Sequence, residues 1–369
     1  MNNLPETILQ FGAGRFLRAF VDRFVHQANE AGQNVGRIVV VQREADQRSE
    51  LLGADGYEVL VRGYQDSAVV QRRERVQSIS RMLVAGKQWA EVLAFAKSPE
   101  LRFIVTNATE SGYVLDARDQ PGSAPPESLP GKLAQVLWAR FQAGAGPVTL
   151  LPCELIECNA DKLRHLVAMQ SLAWGLPDEF RTWVHGECVW LNSLVDCIVT
   201  MPEPTLAQKE PLLICAEPYY LWALEKPSSK SVKLFEHQSI RMSEDISPYF
   251  LRKVRILNGT HTAMVGKFLG RFETVQKLLE DRAAARWIRD LMYEEIVPTL
   301  AYRLDLVASF ADETYERFRN PFTNHKLADI SKGHADKVKV RLGPTWAEYV
   351  SLFSKPPPHI VEAMKPLPA

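Results

Sequence analysis

The stretch that decides the fold is TILQFGAGRFLRAFVDRF at residues 7–24, which is followed by IVVV at residues 38–41. Its first apolar run ends in a glycine turn, the next residues have helical periodicity, and the second apolar run predicts another strand. Strand, turn, helix and strand in this order predict a parallel sheet covered by helices. The alternation continues along the first half, with apolar runs at 57–61, 68–71, 103–105 and 148–151 and helical patterns at 88–96 and 132–141.

Helical periodicity dominates the chain beyond residue 161, and the longest helical pattern covers residues 283–318. Short β-like runs interrupt it at residues 212–215 and 231–242. A chain of 369 residues exceeds one compact core, because single cores stop growing near ~250 residues. We therefore predict an α/β fold with two domains, a Rossmann-like dinucleotide-binding domain at residues 1–225 and a mainly α-helical substrate domain at residues 226–369.

The charge balance argues against nucleic acid or a membrane as a partner. Lys+Arg and Asp+Glu both total 44, so the chain has no broad positive field that would attract polyanions. The N-terminal residues contain no basic stretch followed by a long apolar run, so we expect a cytoplasmic protein without a signal peptide. The five cysteines are odd in number and lack C-x-x-C spacing, which favours reduced thiols. The sequence leaves the oligomeric state, monomer or dimer, open.

The glycine turn predicts a site for a dinucleotide. Gly12 and Gly14 follow the first strand, where a pyrophosphate rests on backbone N–H groups and a helix N-terminus. Leu17 replaces the third glycine of the usual G-x-G-x-x-G, so a plain strand-to-helix turn remains an alternative. Arginines in this turn are positioned to donate charge-assisted hydrogen bonds to phosphate. The predicted pyrophosphate site consists of Gly12, Gly14, Arg15, Phe16 and Arg18.

Residues that follow two further strands complete the predicted cofactor site. Gln42 and Arg43 stand where an acidic residue often binds the ribose 2′-hydroxyl of NAD. Arg43 suits the 2′-phosphate of NADP, whereas Gln42 or Glu44 suits a free hydroxyl, so we expect NAD and leave NADP open. A polar run after residues 103–105 lies at the sheet edge where α/β proteins bind ligands, although a capped loop is the alternative. It comprises Asn107, Ala108, Thr109 and Glu110.

The catalytic candidates are Lys253, Asn258 and His261, in the pattern K-x4-N-x2-H within a predicted helix at residues 248–268. In an α-helix they fall within roughly a 140° arc, so they share one side. Hydride transfer to a carbonyl leaves negative charge on oxygen, which requires a proton donor and a neutral hydrogen-bond donor. Lysine, asparagine and histidine supply these roles, whereas the alternative is a solvated lysine with structural asparagine and histidine. The sequence contains no cluster of His, Cys, Asp or Glu with the spacing typical of a metal site.

Several segments together resemble the mannitol dehydrogenase family of long-chain polyol and sugar-acid dehydrogenases. Within the family they are most similar to its tagaturonate reductase (altronate oxidoreductase) branch, and K-x4-N-x2-H is the most specific of the shared motifs. The segments occur in the family's order. They are ILQFGAGRFLRAFVD at 8–22, RFIVTNATESG at 102–112, LLPCELIECNADKLR at 150–164, NSLVDCIVT at 192–200, KVRILNGTHTAMV at 253–265 and RFRNPFTNHKL at 317–327.

The resemblance implies a role for each of the candidate residues. It implies that Lys253 is the general acid/base, that Asn258 and Asn159 bind the reacting oxygen, and that His261 binds a hydroxyl group of the substrate. It also implies that Lys337 reaches the substrate. Lys337 together with Arg341 suits the carboxylate of a sugar acid, although a solvated helix face is the alternative.

We expect reversible NADH-linked reduction of a keto-hexuronate to an aldonate, tagaturonate to altronate, without a metal. The alternatives are mannitol or fructuronate (mannonate) chemistry in the same family, or an NAD-binding homologue with impaired catalysis. Three departures from the family bear on these alternatives. Residues 249–252 (YFLR) lack the acidic residue common ahead of the catalytic lysine, Asp329 stands where polyol-oxidising relatives have arginine, and the chain ends sooner after Arg341 than is typical.

Overall fold

The computed structural model describes residues 3–45, 51–53, 55–65, 68–108, 112–227, 234–322 and 325–367. The chain divides into two compact units. Unit 1 comprises Met1–Leu60 and Arg72–Ile246, and unit 2 comprises Val61–Gln71 and Ser247–Ala369. The predicted division lies earlier, between residues 225 and 226. Strand pairing accounts for the difference, because the segment that follows residue 225 supplies a strand to a sheet of unit 1.

The described strands form a six-stranded, a four-stranded and a three-stranded sheet. They are β1 (Glu6–Phe11), β2 (Arg37–Gln42), β3 (Tyr57–Gln65), β4 (Ala68–Val76), β5 (Ile79–Val84), β6 (Phe103–Thr106), β7 (Thr149–Pro152), β8 (Val189–Trp190), β9 (Ser193–Asp196), β10 (Val199–Thr200), β11 (Ile214–Ala216), β12 (Leu221–Glu225) and β13 (Ile240–Ser243). The smaller sheets have the strand orders β10-β11-β3-β4 and β13-β12-β9.

The six-stranded sheet has the order β5-β2-β1-β6-β7-β8, and all its strand pairs are parallel. This is the strand order of a doubly wound dinucleotide-binding fold, which reverses between its first and fourth strands. Here the reversal lies between β1 and β6. The predicted α/β fold is therefore confirmed, and the expected ligand site lies beyond the carboxyl ends of these two strands.

Helices cover the faces of this sheet, so its central strands are buried along most of their length. Burial on both faces explains why these strands read as continuous apolar runs in the sequence. The helices of unit 1 are α1 (Arg15–Ala19), α2 (Val21–Glu30), α3 (Ala85–Ala96), α4 (Leu129–Gln142), α5 (Asn159–Ala173), α6 (Asp178–Gly186) and α7 (Pro204–Lys209).

Unit 2 is helical from Ser247 onward, as predicted. Its α-helices are α8 (Ser247–Arg252), α9 (Gly259–Phe268), α10 (Val275–Glu280), α11 (Arg282–Asp290), α12 (Pro298–Ala301), α13 (Val307–Phe318), α14 (Leu327–Ile330), α15 (His334–Lys337), α16 (Gly343–Phe353) and α17 (Pro358–Ala363). π-Helical segments connect some of them, namely π1 (Lys253–Asn258), π2 (Leu291–Ile296) and π3 (Val338–Leu342).

Two helical predictions for unit 2 differ from the structure in detail. The predicted helix at 248–268 is continuous, but its middle is π1 instead of α-helix. The long helical pattern at 283–318 is broken before Val307, because Leu306 adopts a left-handed conformation with a φ of 56°. In the part of the chain that the structure describes, no helix is long and apolar enough to cross a membrane.

Candidate active site

The glycine turn lies directly after β1, beside the point where the strand order reverses. Gly12 has a φ of +120°, a conformation that favours glycine because a Cβ would be strained there. Its N–H donates to the Val41 carbonyl at 3.0 Å, and its carbonyl accepts a hydrogen bond of 3.2 Å from Gln10 Nε2. Gly14 then caps α1 in an extended conformation. The local geometry therefore supports the predicted dinucleotide turn.

A cavity of about 460 Å³ opens beside this turn, a volume within the range of small-molecule sites, about 300–1,000 Å³. Gly12, Arg43, Asn107 and Ala108 all line it, so the structure brings together predicted cofactor residues from three strand ends. Of the other candidates, Gly14 and Arg15 are exposed and Gln42 is partly buried. Phe16 is partly buried and stacks on Phe20, with ring centroids 5.0 Å apart. Thr109 and Glu110 lie outside the described residues.

Arg18 is placed differently from the prediction, because its side chain is only 2% exposed. Its Nη1 donates to the Leu212 carbonyl at 2.8 Å, and its guanidinium lies 5.3 Å from the centroid of the Tyr57 ring. The Tyr57 hydroxyl in turn donates to the Arg18 carbonyl at 2.7 Å. The structure thus directs the Arg18 side chain into the interior of unit 1, which corrects the expectation of a phosphate contact.

The catalytic candidates of unit 2 are carried by π1 and the first turn of α9. Lys253 begins π1, Asn258 ends it, and His261 follows in α9. Residues five apart in an α-helix point roughly 140° apart, whereas i→i+5 hydrogen bonding places them nearly one above the other. The π-turn therefore brings Lys253 and Asn258 closer around the axis than the predicted α-helix does. His261, three residues beyond Asn258, lies on the same face.

Asn258 and His261 both present buried polar atoms without a hydrogen-bond partner. Asn258 is 9% exposed and His261 is 5% exposed. Within the described part of the chain, Asn258 Nδ2 and His261 Nε2 lack partners. Because more than about 90% of buried polar groups in proteins are paired, these two atoms, three residues apart, are available to bind a ligand.

The surroundings of His261 are basic and aromatic. Its ring centroid lies 4.6 Å from those of Phe318 and His325. Burial lowers the pKa of His261 well below its usual value, and His325, Arg341, Arg317 and Lys337 lower it further. The imidazole is therefore neutral near pH 7. These influences show that Lys337 and Arg341, predicted from the sequence, lie close enough to His261 for their charges to act on it.

Lys253 is partly buried, and its arginine neighbours interact with other groups. Arg255 Nη2 donates to Glu348 Oε1 at 3.0 Å and Nη1 to Thr345 Oγ1 at 2.9 Å. The guanidinium of Arg252 lies 5.0 Å from the centroid of the Tyr249 ring. Glu348 therefore partly compensates the positive charge of Arg255 next to Lys253.

Comparison with known proteins agrees with the division of the chain into two units. The family profile of the mannitol dehydrogenase Rossmann domain matches residues 6–235, and that of the mannitol dehydrogenase C-terminal domain matches residues 245–346.

The chain belongs to the mannitol dehydrogenase family.

Its relatives include altronate oxidoreductases, so the predicted family is confirmed. The altronate oxidoreductase of Bacillus subtilis is 36% identical over 97% of this chain and 78% of the relative. That of Yersinia enterocolitica is 35% identical over 98% of this chain and 79% of the relative. These similarities identify the chain as an oxidoreductase that acts on CH–OH groups of polyols or sugar acids.

Two solved dehydrogenase structures share the fold. Pseudomonas fluorescens mannitol 2-dehydrogenase, in a ternary complex with NAD and D-mannitol, superposes with a TM-score of 0.83 at 21% identity, covering 98% of this chain and 79% of that one. A substrate-free D-sorbitol dehydrogenase superposes with a TM-score of 0.79 at 20% identity, covering 94% of this chain and 76% of that one.

In this mannitol dehydrogenase family member, Asn159 has no hydrogen-bonding capacity left for a substrate. It is fully buried, and its Nδ2 donates to the carbonyls of Pro152, Glu154 and Ser193 at 3.0–3.1 Å. Its Oδ1 accepts from the N–H groups of Ala160 and Ser193 at 2.9 and 3.0 Å. The structure thus corrects the expectation that Asn159 binds the reacting oxygen, because the side chain joins the end of β7 to β9.

Glu154 is a residue of this family member that the sequence analysis missed. It is 3% exposed and accepts hydrogen bonds from Thr106 Oγ1 at 3.1 Å, Ala108 N at 2.8 Å and the Tyr113 hydroxyl at 3.0 Å. Burial raises its pKa. Glu154 thereby fixes Ala108 and Tyr113, between which Gly112 also lines the cavity. The available signal was an acidic residue directly after a buried strand.

Across the described ranges, no group of three or more His, Cys, Asp or Glu side chains is arranged to hold a metal ion.

Proposed function

We propose that this protein is an NAD-dependent reductase that interconverts a keto-hexuronate and an aldonate, tagaturonate and altronate, without a metal. The observation that carries the proposal is the pair of unpartnered buried atoms, Asn258 Nδ2 and His261 Nε2. They lie on the same continuous helical segment as Lys253, the first residue of π1. The names of the relatives, altronate oxidoreductases, supply the substrate. Mannitol or fructuronate is the alternative substrate within the family.

The residues of unit 1 fit a nicotinamide dinucleotide. Gly12 provides a turn open to phosphate at a left-handed φ, and the adjoining cavity suits the adenosine half by its position after β2. When bound, the nicotinamide donates hydride in reduction and accepts it in oxidation. A mannitol 2-dehydrogenase of the same fold is known in complex with NAD, which supports the choice of cofactor.

The residues of unit 2 would handle the proton and the oxygen. In reduction, the keto carbon gains hydride while Lys253 gives a proton to the carbonyl oxygen, which becomes a hydroxyl. Asn258 Nδ2 would donate a hydrogen bond to that oxygen as negative charge develops on it. His261, held neutral by burial and its basic neighbours, would bind a substrate hydroxyl through Nε2.

The basic surroundings of His261 favour an acidic substrate over a neutral polyol. Arg317, Lys337 and Arg341 all act on His261, and a substrate carboxylate would be attracted by the same charges. Lys337 Nζ also donates to the Ile330 carbonyl at 2.8 Å, which holds its side chain in place. We therefore assign the carboxylate of the substrate to Lys337 and Arg341.

The test is an assay of NADH oxidation with tagaturonate, fructuronate and fructose, with and without a chelator. We expect tagaturonate to be the best substrate and chelation to leave the rate unchanged. Lys253→Ala should lower kcat by about 100-fold or more, the usual loss when a positioned acid is removed. The matched control is Lys277→Ala, since this exposed lysine of unit 2 forms a surface ion pair with Glu280. Near-native turnover of Lys253→Ala would refute the proton transfer.

A further inference from the structure

Arg43 stands at the position where a residue is expected to contact the adenosine ribose, and it lies close to two acidic side chains. It follows β2 directly and lines the cavity beside the glycine turn. Its Nη2 lies 3.4 Å from Glu127 Oε2, and its Nε lies 3.8 Å from Glu44 Oε1. Glu127 reaches this cavity from the segment before α4. Two carboxylates therefore flank the cation that a 2′-phosphate would need.

A second cation of the same cavity is also bound to Glu127. Lys132 Nζ donates to the Glu127 carbonyl at 2.6 Å. Burial lowers the pKa of Lys132, the charges of Asp119 and Glu127 oppose this effect, and Arg43 adds to it. Arg43 and Lys132 are thus near enough to repel each other, with Glu127 beside both.

Arg118, which also lines this cavity, is paired with an acid. Arg118 Nε and Nη2 donate to Asp116 Oδ1 and Oδ2 at 3.0 and 2.6 Å. Arg43 and Arg118 are therefore each paired with a carboxylate, which weakens their attraction for a 2′-phosphate.

The backbone of Glu127 is fixed although its side chain is half exposed. Asp119 is 4% exposed and accepts hydrogen bonds from the N–H groups of Glu127 at 2.5 Å and of Ser128 at 3.1 Å. It also accepts from the Ser128 hydroxyl at 2.5 Å. The carboxylate of Glu127 is consequently presented to Arg43 from an anchored segment.

We propose that Glu127 sets the preference for NADH over NADPH by occupying the guanidinium of Arg43. This inference rests on the proposed function, because it assigns the cavity to the adenosine half of the cofactor. A 2′-phosphate carries about two negative charges and would have to displace Glu127 while remaining next to its carboxylate. A free 2′-hydroxyl requires no such displacement.

The experiment compares the dissociation constants of NADH and NADPH by calorimetry, which needs no substrate. Glu127→Gln removes the charge and keeps the shape. We expect the Kd ratio of NADPH to NADH to fall by about tenfold, which equals about 1.4 kcal/mol. Adding Arg43→Gln to Glu127→Gln should restore a high ratio, because the phosphate then loses its cation.

The matched control is Glu91→Gln, a glutamate of unit 1 that lies 3.8 Å from Arg81 and is not among the residues that line this cavity. Its ratio should equal that of the unaltered protein. A ratio that changes less than twofold in Glu127→Gln overturns the role of Glu127. Binding of neither dinucleotide by the unaltered protein would instead contradict the proposed function, so the two failures are distinguishable.

Discussion

The buried Arg255 forms an ion pair with the partly buried Glu348, with Nη2 of the arginine 3.0 Å from Oε1 of the glutamate. Arg255 lies within π1, between the proposed acid/base Lys253 and Asn258, and Glu348 belongs to α16. Glu348 also accepts two hydrogen bonds of 2.8 Å from Arg303 Nη2. The ion pair therefore attaches the π-turn to a neighbouring helix by a side chain that takes no part in the proposed chemistry.

We predict that Arg255→Met lowers the free energy of unfolding by about 1–3 kcal/mol, because it removes a half-buried carboxylate's partner and two hydrogen bonds. It should also lower kcat more than it raises KM, since the side chains of Lys253 and Asn258 would no longer be held in a fixed position relative to each other. Urea unfolding and steady-state kinetics measure the two effects. Arg286→Met is the control, because Arg286 is 84% exposed in a surface pair with Asp290. Equal effects in both variants would contradict the assignment.

The pH dependence of stability should reveal the neutral state of His261. Its folded-state pKa is depressed, so below the unfolded-state value near 6.5 the unfolded chain binds a proton that the folded chain does not. Stability is therefore retained above pH ~6.5 and declines as the pH falls, by up to about 1.4 kcal/mol per pH unit. Urea unfolding at pH 7.5, 6.5 and 5.5 should show a smaller decline for His261→Gln. Identical slopes would mean that His261 titrates normally.

Glu154 should act on cofactor binding through the segment that it holds. Glu154→Ala removes the acceptor of three hydrogen bonds, so we expect KM for NADH to rise by about tenfold with a smaller change in kcat. Glu154→Gln should be milder, because its amide oxygen accepts from Ala108 N and the hydroxyls of Thr106 and Tyr113 can accept from its NH₂. Steady-state kinetics provide the measurement, with the exposed Glu157→Ala as control. A change confined to kcat would argue against this role.

Replacing Asn159 separates a structural role from a catalytic one. Asn159→Ala leaves several backbone groups of the β7–β9 connection without partners, so we expect at least about 2 kcal/mol of destabilisation. The remaining folded protein should keep most of its kcat, measured at a temperature well below the unfolding transition. A stable variant with a kcat lowered by about 100-fold would instead restore the role at the reacting oxygen that the sequence suggested.

Gly266 should be needed for the packing of α9. A Cβ at this position would overlap the carbonyl oxygen of Ala363 in α17, so Gly266→Ala should cost about 1–3 kcal/mol by overpacking. Gly186→Ala is the control, because no atom lies within 4 Å of the Cβ it would add. Thermal unfolding of both variants checks the prediction, and an unchanged transition in Gly266→Ala would mean that α17 shifts without cost.

The fold was predictable because its signals are local. The apolar run before Gly12 and the alternation of strands with helices define a parallel sheet without reference to distant residues. Lys253, Asn258 and His261 could be proposed as a site for the same reason, since one short segment carries all of them. The π-turn was not predictable, because the apolar pattern of a helix tolerates one additional residue in a turn.

The errors arose where distant residues decide the role of a side chain. Arg18 reads as a phosphate ligand from its place in the first helical turn, yet Leu212 and Tyr57 bind it in the interior. Asn159 reads as a substrate ligand until the carbonyl of Ser193 and its other backbone partners are known. Glu154 escaped notice because its partners Thr106 and Tyr113 lie more than forty residues away along the chain.

The π-turn also limits how this segment tolerates changes of length. Deleting one residue such as Val254 would let α8 and α9 join as an ordinary α-helix, with every backbone hydrogen bond still made. The residue before the deletion would then rotate by about 100° relative to all that follows it. Among related sequences, we therefore expect a one-residue deletion in this segment to abolish activity, although the helix itself would keep all its backbone hydrogen bonds.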